Sequence, residues 1–528
     1  MLHKTAVREI SFCRISKLFY RVAAVSDDAA PAVSCIAAVI TTFLLAVSLH
    51  TPAGAAQNGH REVKMSEQTA AFLETVLVEP ERVKIMKETL SADGAWGSLG
   101  PGPTGEPEPL PVRAPEREIE LMIPEDAVGS GTEDDPYVDV ISAYLQNFEY
   151  EPVSIEAYKR YPDEAQMQDI EAYIDALPYK LKTVIVPAGY YKETVKTSYS
   201  PHRHFDKETI GLDVPPGIWL RGEGEVVLEP VIPKGISAHL VNLNIRAGLE
   251  NFVLDGSSVP GFEPEPETRL TGIVAAHGAV VAGNHIHDFT HHGIGAAGGR
   301  GRAGSDVIVS DNIIENIGRS GISAQSRWII RDNRIRYAGL LRPDGGGGDD
   351  GIIPRWGVGG KIVNNLVILE RRPHARHVIS GQGSRDCLVA GNISIAIGPM
   401  RNNIGFSDGS HRNRFIGNVV LGVGDDYRGG HTLCAVSVNG YGTQVRHNFS
   451  VGHPRGIRTS GREGEELCII ADNYTEYMYD HIHRSSHYKA ENNVSRQSGE
   501  VVARRHYNPP LPAIEDERME SEFGFFAR

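Results

Sequence analysis

The chain has 528 residues, of which 41% are hydrophobic and 23% charged, and its formal net charge is -14. These proportions are ordinary for a soluble protein, and the 57 glycines indicate many tight turns. The negative charge excludes a general nucleic-acid binder, which would need basic faces, although a local basic patch can still hold an acidic ligand.

Residues 1–56 are predicted to be a secretory signal and leader. Basic residues from Lys4 to Arg21 precede the uncharged run CIAAVITTFLLAVSL at 35–49, and small residues suited to cleavage follow near Ala55. This run is too short for a stable membrane span, so we expect a secreted or periplasmic protein with no span left after cleavage. An uncleaved membrane anchor is the alternative.

Three further regions follow the leader. Residues 57–140 are predicted to be an extension with an amphipathic helix and a linker, GSLGPGPTGEPEPLP, that is rich in proline and glycine. Residues 141–500 form the main repeat region, and residues 501–528 form a tail or cap. The three cysteines beyond the leader show no close pair, so we expect free buried thiols.

Asparagines recur through the repeat region at intervals of 20 to 33 residues. Most stand between two short apolar runs, as in VIVSDNIIENI and CLVAGNISIAI. This period is typical of a solenoid, whose small coils must stack to bury their apolar faces. Asparagine tolerates the left-handed backbone of a tight corner, and its amide can bond to the coils above and below. The predicted ladder contains Asn251, Asn284, Asn312, Asn333, Asn365, Asn392, Asn418, Asn448, Asn473 and Asn493.

Two early strands carry a family resemblance. A helix, MQDIEAYIDALP, precedes a strand with VPAGYY and then a strand with IWLRGEG. Together with the ladder, this order resembles the pectate-lyase-like right-handed parallel β-helix proteins over about 180–500. The resemblance implies an all-β solenoid of about ten or more coils, with an N-terminal helical cap. It leaves the activity open, because that superfamily includes lyases, glycoside hydrolases, epimerases, phage depolymerases and non-enzymes.

The resemblance also implies that ligand lies along the third strand of each coil and the loop before it. We align these strands on inward residues Ile294, Ile322, Ile352, Val378, Ile404, Val436, Ile457 and Ile482. Neighbouring positions then point outward and carry many polar groups. Such a line of groups on a fixed scaffold suits an extended polymer. The predicted substrate-binding residues are His292, Gln325, Arg376, Asn403, His431 and Arg458.

Paired carboxylates stand in RPDGGGGDDGIIPR, residues 342–355. Asp349 and Asp350 are candidate oxygen ligands for Ca²⁺. Alternatively, one of them stays protonated beside its neighbour and serves as a general acid. The pair resembles the Gly-Asp-Asp of polygalacturonases, but the Asn-Thr-Asp and Gly-His-Gly signatures of those enzymes are missing at suitable positions.

Two catalytic hypotheses follow, with Asp350, His377, Asp408 and Arg355 as the predicted catalytic residues. Asp350 and Asp408 lie about two coils, or roughly 10 Å, apart. That is close to the roughly 6.5–9.5 Å of inverting glycosidases. Histidine bases with arginines that hold a carboxylate instead suit a lyase or a related uronate-processing enzyme.

The sequence therefore predicts a polysaccharide- or oligosaccharide-active enzyme, most readily a lyase on an acidic polymer. An inverting glycoside hydrolase is the first alternative, and a non-catalytic carbohydrate-binding solenoid is the second.

Overall fold

The computed structural model describes residues 117–146, 182–198, 208–259, 268–296, 304–338, 349–370, 375–397, 402–407, 409–423, 434–459, 466–483 and 488–497. The chain divides into two compact units, Met1–Ala71 and Phe72–Arg528, and every described residue lies in the second. The predicted leader, the amphipathic helix and linker, the helix before VPAGYY and the tail therefore lie outside the described residues. In the described ranges, no helix has the length and apolar character needed to cross a membrane.

The described residues form one helix, α1 (Val140–Gln146), and strands numbered in chain order. The first twelve are β1 (Glu118–Glu120), β2 (Tyr137–Val138), β3 (Lys182–Thr194), β4 (Lys196–Ser198), β5 (Glu208–Val214), β6 (Ile218–Val231), β7 (Ser237–Leu243), β8 (Gly248–Glu250), β9 (Val253–Asp255), β10 (Arg269–Ala275), β11 (Val280–Ala282) and β12 (His285–His287). The next twelve are β13 (Ile294–Ala296), β14 (Ile308–Ser310), β15 (Ile313–Ile317), β16 (Ile322–Ala324), β17 (Ile329–Arg331), β18 (Arg334–Ala338), β19 (Asp349–Pro354), β20 (Lys361–Val363), β21 (Leu366–Glu370), β22 (Ala375–Gln382), β23 (Leu388–Ala390) and β24 (Ile393–Ile397). The remaining strands are β25 (Asn402–Ser407), β26 (Arg414–Ile416), β27 (Val419–Val423), β28 (Cys434–Val438), β29 (Gln444–Arg446), β30 (Phe449–Thr459), β31 (Cys468–Ala471), β32 (Tyr474–His483), β33 (Tyr488–Glu491) and β34 (Val494–Gln497).

Each coil contributes one strand to each of three parallel stacks. The first stack runs from β8 through β11, β14, β17, β20, β23, β26, β29 and β31 to β33. The second runs from β9 through β12, β15, β18, β21 and β24 to β27, and the third from β5 through β7, β10, β13, β16, β19, β22 and β25 to β28. The long strands β6 and β30 each continue two stacks. This is the predicted fold, a right-handed parallel β-helix.

Buried asparagines connect successive coils, as predicted. The Nδ2 group of each asparagine donates to Oδ1 of the next, at 2.9–3.1 Å, from Asn284 to Asn493. The same Oδ1 atoms also accept backbone N–H groups, as in the 3.0 Å bond from Asn284 N to Asn312 Oδ1. Since a buried amide needs partners for both its donors and its acceptor, the stacking satisfies what each coil would otherwise leave unpaired.

Two details of the predicted ladder are wrong. The ladder asparagines do not hold the left-handed corner position, and Asn251 is not the first member. The residue before each ladder asparagine takes the left-handed backbone, for example Asp311 (φ 59°) and Asp332 (φ 58°). Asn251 has φ 61° and lies in this preceding row. Phe252 therefore holds the first ladder position, where its N–H donates to Asn284 Oδ1 at 3.0 Å.

The register of the third stack differs from the prediction at one coil. Strand pairing aligns Ile352 with Ile379, whereas the sequence alignment used Val378. The difference arises from a bulge in β22, since Asp349 pairs with Ala375 and Asp350 with His377. The extra residue is the exposed Arg376. A bulge adds one residue to one strand and changes which side chain faces the neighbour, so His377 rather than Arg376 stands opposite Asp350.

A large hydrophobic cluster of the described residues runs inside the coils from Leu121 to Ile470. Ile141 and Leu145 of α1 are 0% and 2% exposed and belong to this cluster, so the helix covers its N-terminal end. The cysteines Cys387, Cys434 and Cys468 are free and buried, as expected from their spacing.

Candidate active site

One row of polar residues crosses the third stack two positions before the aligned isoleucines. Asp350 pairs with His377, His377 with Asn402 and Asn402 with Cys434. Because parallel strands lie about 4.8 Å apart, side chains in this row are direct neighbours. The row therefore brings an acid, an imidazole and an amide together from residues that are 25 or more positions apart in the sequence.

The centre of the row is a hydrogen-bonded pair of Asp350 and His377. Asp350 Oδ1 lies 2.9 Å from His377 Nδ1 and accepts the His377 backbone N–H at 3.1 Å. Ser380 Oγ donates to Asp350 Oδ2 at 2.8 Å. Burial raises the pKa of Asp350, but the His377 imidazole, these hydrogen bonds and the charge of Arg355 outweigh it and hold the pKa below its ordinary value. Asp350 is therefore an ionised carboxylate.

This pair determines which nitrogen of His377 can act as a base. An ionised carboxylate only accepts hydrogen bonds, so Nδ1 must carry the proton that faces Asp350. Nε2 of the neutral ring then keeps its lone pair. The His377 side chain is 13% exposed, whereas that of Asp350 is 1% exposed. The histidine is accordingly the member of the pair that a ligand can reach, and the aspartate orients it.

Gly405 of the next coil makes room for the imidazole. A Cβ atom at this glycine would lie 2.7 Å from Cδ2 and 3.1 Å from Nε2 of His377. It would also lie 3.3 Å from Nδ2 of Asn402. Carbon atoms pack at about 3.5–4.0 Å, so only glycine leaves the ring in its present position.

Basic groups gather at the coils before Asp350. Arg319 Nη1 lies 3.0 Å from His291 Nε2, and His291 Nδ1 lies 3.0 Å from Thr271 Oγ1. Because guanidinium only donates, Nε2 accepts and Nδ1 donates to the threonine. Burial, together with the charges of Arg319 and other basic neighbours, lowers the pKa of His291 to about 3. His291 is therefore neutral beside the arginine.

His292 and Arg355 extend this basic region toward the pair. Burial and the charges of His291, Arg319 and Arg355 lower the pKa of His292 well below its ordinary value. Its Nδ1 accepts the Ser320 backbone N–H at 3.3 Å. Arg355 acts electrostatically on both His292 and Asp350, so its guanidinium links the basic region to the carboxylate. An anionic ligand group would be stabilised here.

The other predicted site residues fall into three groups. Gln325, Arg376 and Arg458 are partly or fully exposed at the third stack or at its edge, where a ligand can reach them. Asp408 and His431 lie outside the described residues, and Asp349 is described only through its pairing in β19.

Asn403 does not belong to the ligand face. It is 1% exposed, and its Nδ2 donates to the carbonyl oxygens of Ser394 at 3.1 Å and Leu421 at 2.9 Å. Ser394 Oγ donates to its Oδ1. These contacts with the backbone of neighbouring strands point the side chain into the coil.

The carboxylate of Asp350 is poorly placed for the predicted Ca²⁺. Both of its oxygens accept hydrogen bonds from protein donors, and it is almost fully buried. Within the described ranges, a group with ligand atoms close enough for a metal ion consists of Asp255, His287 and Asp288, which lie at the second stack and the turn after it.

Sequence reasoning missed the roles of Ser380 and Gly405. Neither residue type signals a site by itself, and both become informative only once the register of β22 is known. His291 and Arg319 are recognisable as outward polar residues, but their direct contact follows from strand pairing.

No protein-family model matches the chain, and no curated protein sequence matches it significantly. Solved structures do match in shape. The mannuronan C-5 epimerase AlgE6 A-module of Azotobacter vinelandii is 14% identical, with a TM-score of 0.43 over 63% of this chain and 95% of that chain. The tailspike protein of E. coli bacteriophage HK620, in complex with pentasaccharide, is 11% identical, with a TM-score of 0.39 over 68% and 67%. PfbA, a surface adhesin of Streptococcus pneumoniae, is 11% identical, with a TM-score of 0.32 over 66% and 94%.

Proposed function

We propose that the chain is a polysaccharide-active enzyme that abstracts a proton next to the carboxylate of a uronate residue. The observation that carries the proposal is the Asp350–His377 pair on an extended polar face, with the charge of Arg355 acting on the carboxylate. Elimination or epimerisation would both begin with this step. The leader at 1–56 supports a secreted or periplasmic location.

His377 Nε2 acts as the base in this proposal. It takes the proton from the carbon beside the carboxylate, and the ring becomes an imidazolium. The adjacent Asp350 carboxylate stabilises that positive charge across the 2.9 Å contact. Ser380 holds the carboxylate in place from its other oxygen. Such an arrangement sets the orientation of the imidazole.

Arg355 and Arg319 supply the positive charge that stabilises the substrate carboxylate during proton abstraction. Removing the proton sends its electron pair toward the substrate carboxylate, where negative charge accumulates. Donors positioned before the reaction stabilise that charge most effectively. In a lyase, the electron pair then forms a carbon–carbon double bond and expels the glycosidic oxygen. In an epimerase, a proton returns from the opposite face.

The properties of Asp350 weigh against a general-acid role in an inverting hydrolase. A general acid needs a raised pKa and contact with the glycosidic oxygen. Asp350 instead has a lowered pKa and is 1% exposed, with both oxygens engaged. It is consequently assigned to orienting His377.

The test is a screen of uronate polymers, including polygalacturonate and alginate, with the native chain and the His377→Gln variant. A lyase raises ultraviolet absorbance as unsaturated ends form, and an epimerase exchanges the abstracted proton with deuterated solvent. We expect His377→Gln to reduce either signal by about 10³-fold or more. His287→Gln, a histidine on the second stack, is the matched control and should retain activity.

Three outcomes would contradict the proposal. Reducing ends released without ultraviolet absorbance would indicate hydrolysis. Binding without turnover across the screen would indicate a carbohydrate-binding solenoid. Undiminished proton abstraction in His377→Gln would remove the base from the mechanism.

A further inference from the structure

Trp356 has an unusual backbone for its residue type. It follows Arg355 directly at the end of β19 and has φ 54°. In the described part of the chain, the other non-glycine residues with positive φ are aspartates, asparagines, arginines and a histidine. A bulky side chain in this region costs about 1–2 kcal/mol. Strain that persists at one residue commonly marks a functional position.

The indole is exposed on one side and supported on the other. Trp356 is 41% exposed, although large aromatic residues usually bury most of their surface. A Cβ atom at Gly383 in the next coil would lie 2.1 Å from Cε3 and 2.4 Å from Cζ3 of the indole. The ring therefore rests directly on glycine backbone. The backbone N–H of Trp356 also donates to the backbone carbonyl oxygen of Gln382 at 2.7 Å, which holds the turn in place.

The indole lies at the edge of the stack that carries the polar face. Arg355 pairs with Gln382, and Gln382 with Ser407, so Trp356 stands at the edge of the third stack where its strands end. Trp356 comes six positions after Asp350. At about 3.3 Å per residue, the indole lies up to roughly 20 Å from the pair. This displacement along the strand places the indole beside a neighbouring sugar of a bound polymer.

We propose that Trp356, resting on Gly383, is a stacking platform for a pyranose ring of the polysaccharide, outside the reacting subsite. The ring faces of sugars carry apolar C–H groups with partial positive charge, which complement the negative face of an indole. This inference depends on the proposed function only for the ligand class. A rigid aromatic group also contributes contact area at low entropic cost, which suits a polymer subsite.

The experiment compares long and short oligosaccharides on four forms of the full chain. Hexameric and dimeric oligouronates from alginate and polygalacturonate, and neutral cello-oligosaccharides, are titrated calorimetrically into the native chain, Trp356→Ala, Trp356→Phe and Val358→Ala. Val358 is 36% exposed two residues further on and serves as the control. We expect Trp356→Ala to weaken hexamer binding about 10-fold, while dimer binding and Val358→Ala stay unchanged. Trp356→Phe should retain most of the affinity.

Tryptophan fluorescence gives a second readout. Trp219 and Trp328 are 5% and 1% exposed, and Trp96 lies outside the described residues. The comparison with Trp356→Phe therefore assigns the signal, since a hexamer-induced change in emission that is absent from this variant would come from Trp356. Equal hexamer affinities for the native chain and Trp356→Ala would overturn the platform. So would a change in oligomeric state on Trp356→Ala without any effect on sugars. If uronates fail to bind but neutral hexamers depend on Trp356, the platform stands and the uronate proposal falls.

Discussion

Substitution of Gly405 by alanine tests the placement of His377 without altering either member of the pair. Neither φ nor strand pairing prevents alanine here, since Gly405 has an ordinary φ within β25. The new Cβ would lie 2.7 Å from Cδ2 of His377, about 1 Å inside normal carbon contact. The imidazole must therefore move by roughly 1 Å.

Such a displacement is expected to reduce turnover about 10²-fold, because a catalytic group misplaced by about 1 Å loses its productive alignment. The overpacked side chain should cost about 1–3 kcal/mol of stability, since the backbone is unchanged. Initial rates on the polymer that the native chain processes, together with thermal unfolding, separate the two effects.

Gly295 provides the matched control. It follows Ile294 as Gly405 follows Ile404, and these isoleucines belong to the same aligned row. The nearest atom to a Cβ at Gly295 is 3.8 Å away, at ordinary contact distance. Gly295→Ala should therefore retain turnover and stability. Full activity in Gly405→Ala, or an equal loss in both variants, would refute the assigned position of the His377 ring.

Three further predictions concern the ladder, the N-terminal cap and the orienting serine. Asn333→Ala should lower the free energy of unfolding, measured by denaturant titration, by about 3 kcal/mol or more, because buried donors and acceptors on both sides lose partners. As the control, Asp332→Gly at the neighbouring left-handed position should change this free energy by under about 0.5 kcal/mol. Burial raises the pKa of Glu193 to about 7, so its contribution to stability is complete below about pH 4.5 and is lost as pH rises through 7, by as much as about 3 kcal/mol; a Glu193→Gln variant that unfolds with the same pH dependence as the native chain would refute this. Ser380→Ala removes the bond that holds Asp350 Oδ2 in place, so turnover should fall about 10-fold, measured as initial rates; unchanged turnover would contradict the orienting role.

Electrostatics divide the polar face into two functional halves. At the His291 end, burial and neighbouring arginines keep imidazoles neutral, so they accept hydrogen bonds and leave the positive charge to the guanidinium groups. At the His377 end, an ionised carboxylate faces the ring at Nδ1 and leaves the lone pair on Nε2. Histidines of the same intrinsic chemistry are thereby suited to different roles, binding at one end and base catalysis at the other.

Much of the architecture was predictable because it repeats. The spacing of asparagines and the apolar runs around them recur from coil to coil, so successive coils support the same interpretation. The amide ladder follows from that repetition. The corner geometry of the ladder does not follow from the repetition, because asparagine is compatible with both the left-handed position and the buried position beside it. Only the backbone angles separate Asn251 from the ladder that begins at Asn284.

The site depended on a feature that does not repeat. Sequence alone indicated the third-strand face and the residues Asp350, His377 and Arg355. With Val378 in the aligned row, however, Arg376 would stand opposite Asp350. The bulge in β22 moves His377 into that place, and it arises from the pairing of two strands rather than from a local residue preference. The repeat period thus determined the solenoid and its candidate ligand face. Tertiary pairing decided which side chains meet on that face, because a shift of one residue changes the neighbour of every side chain that follows.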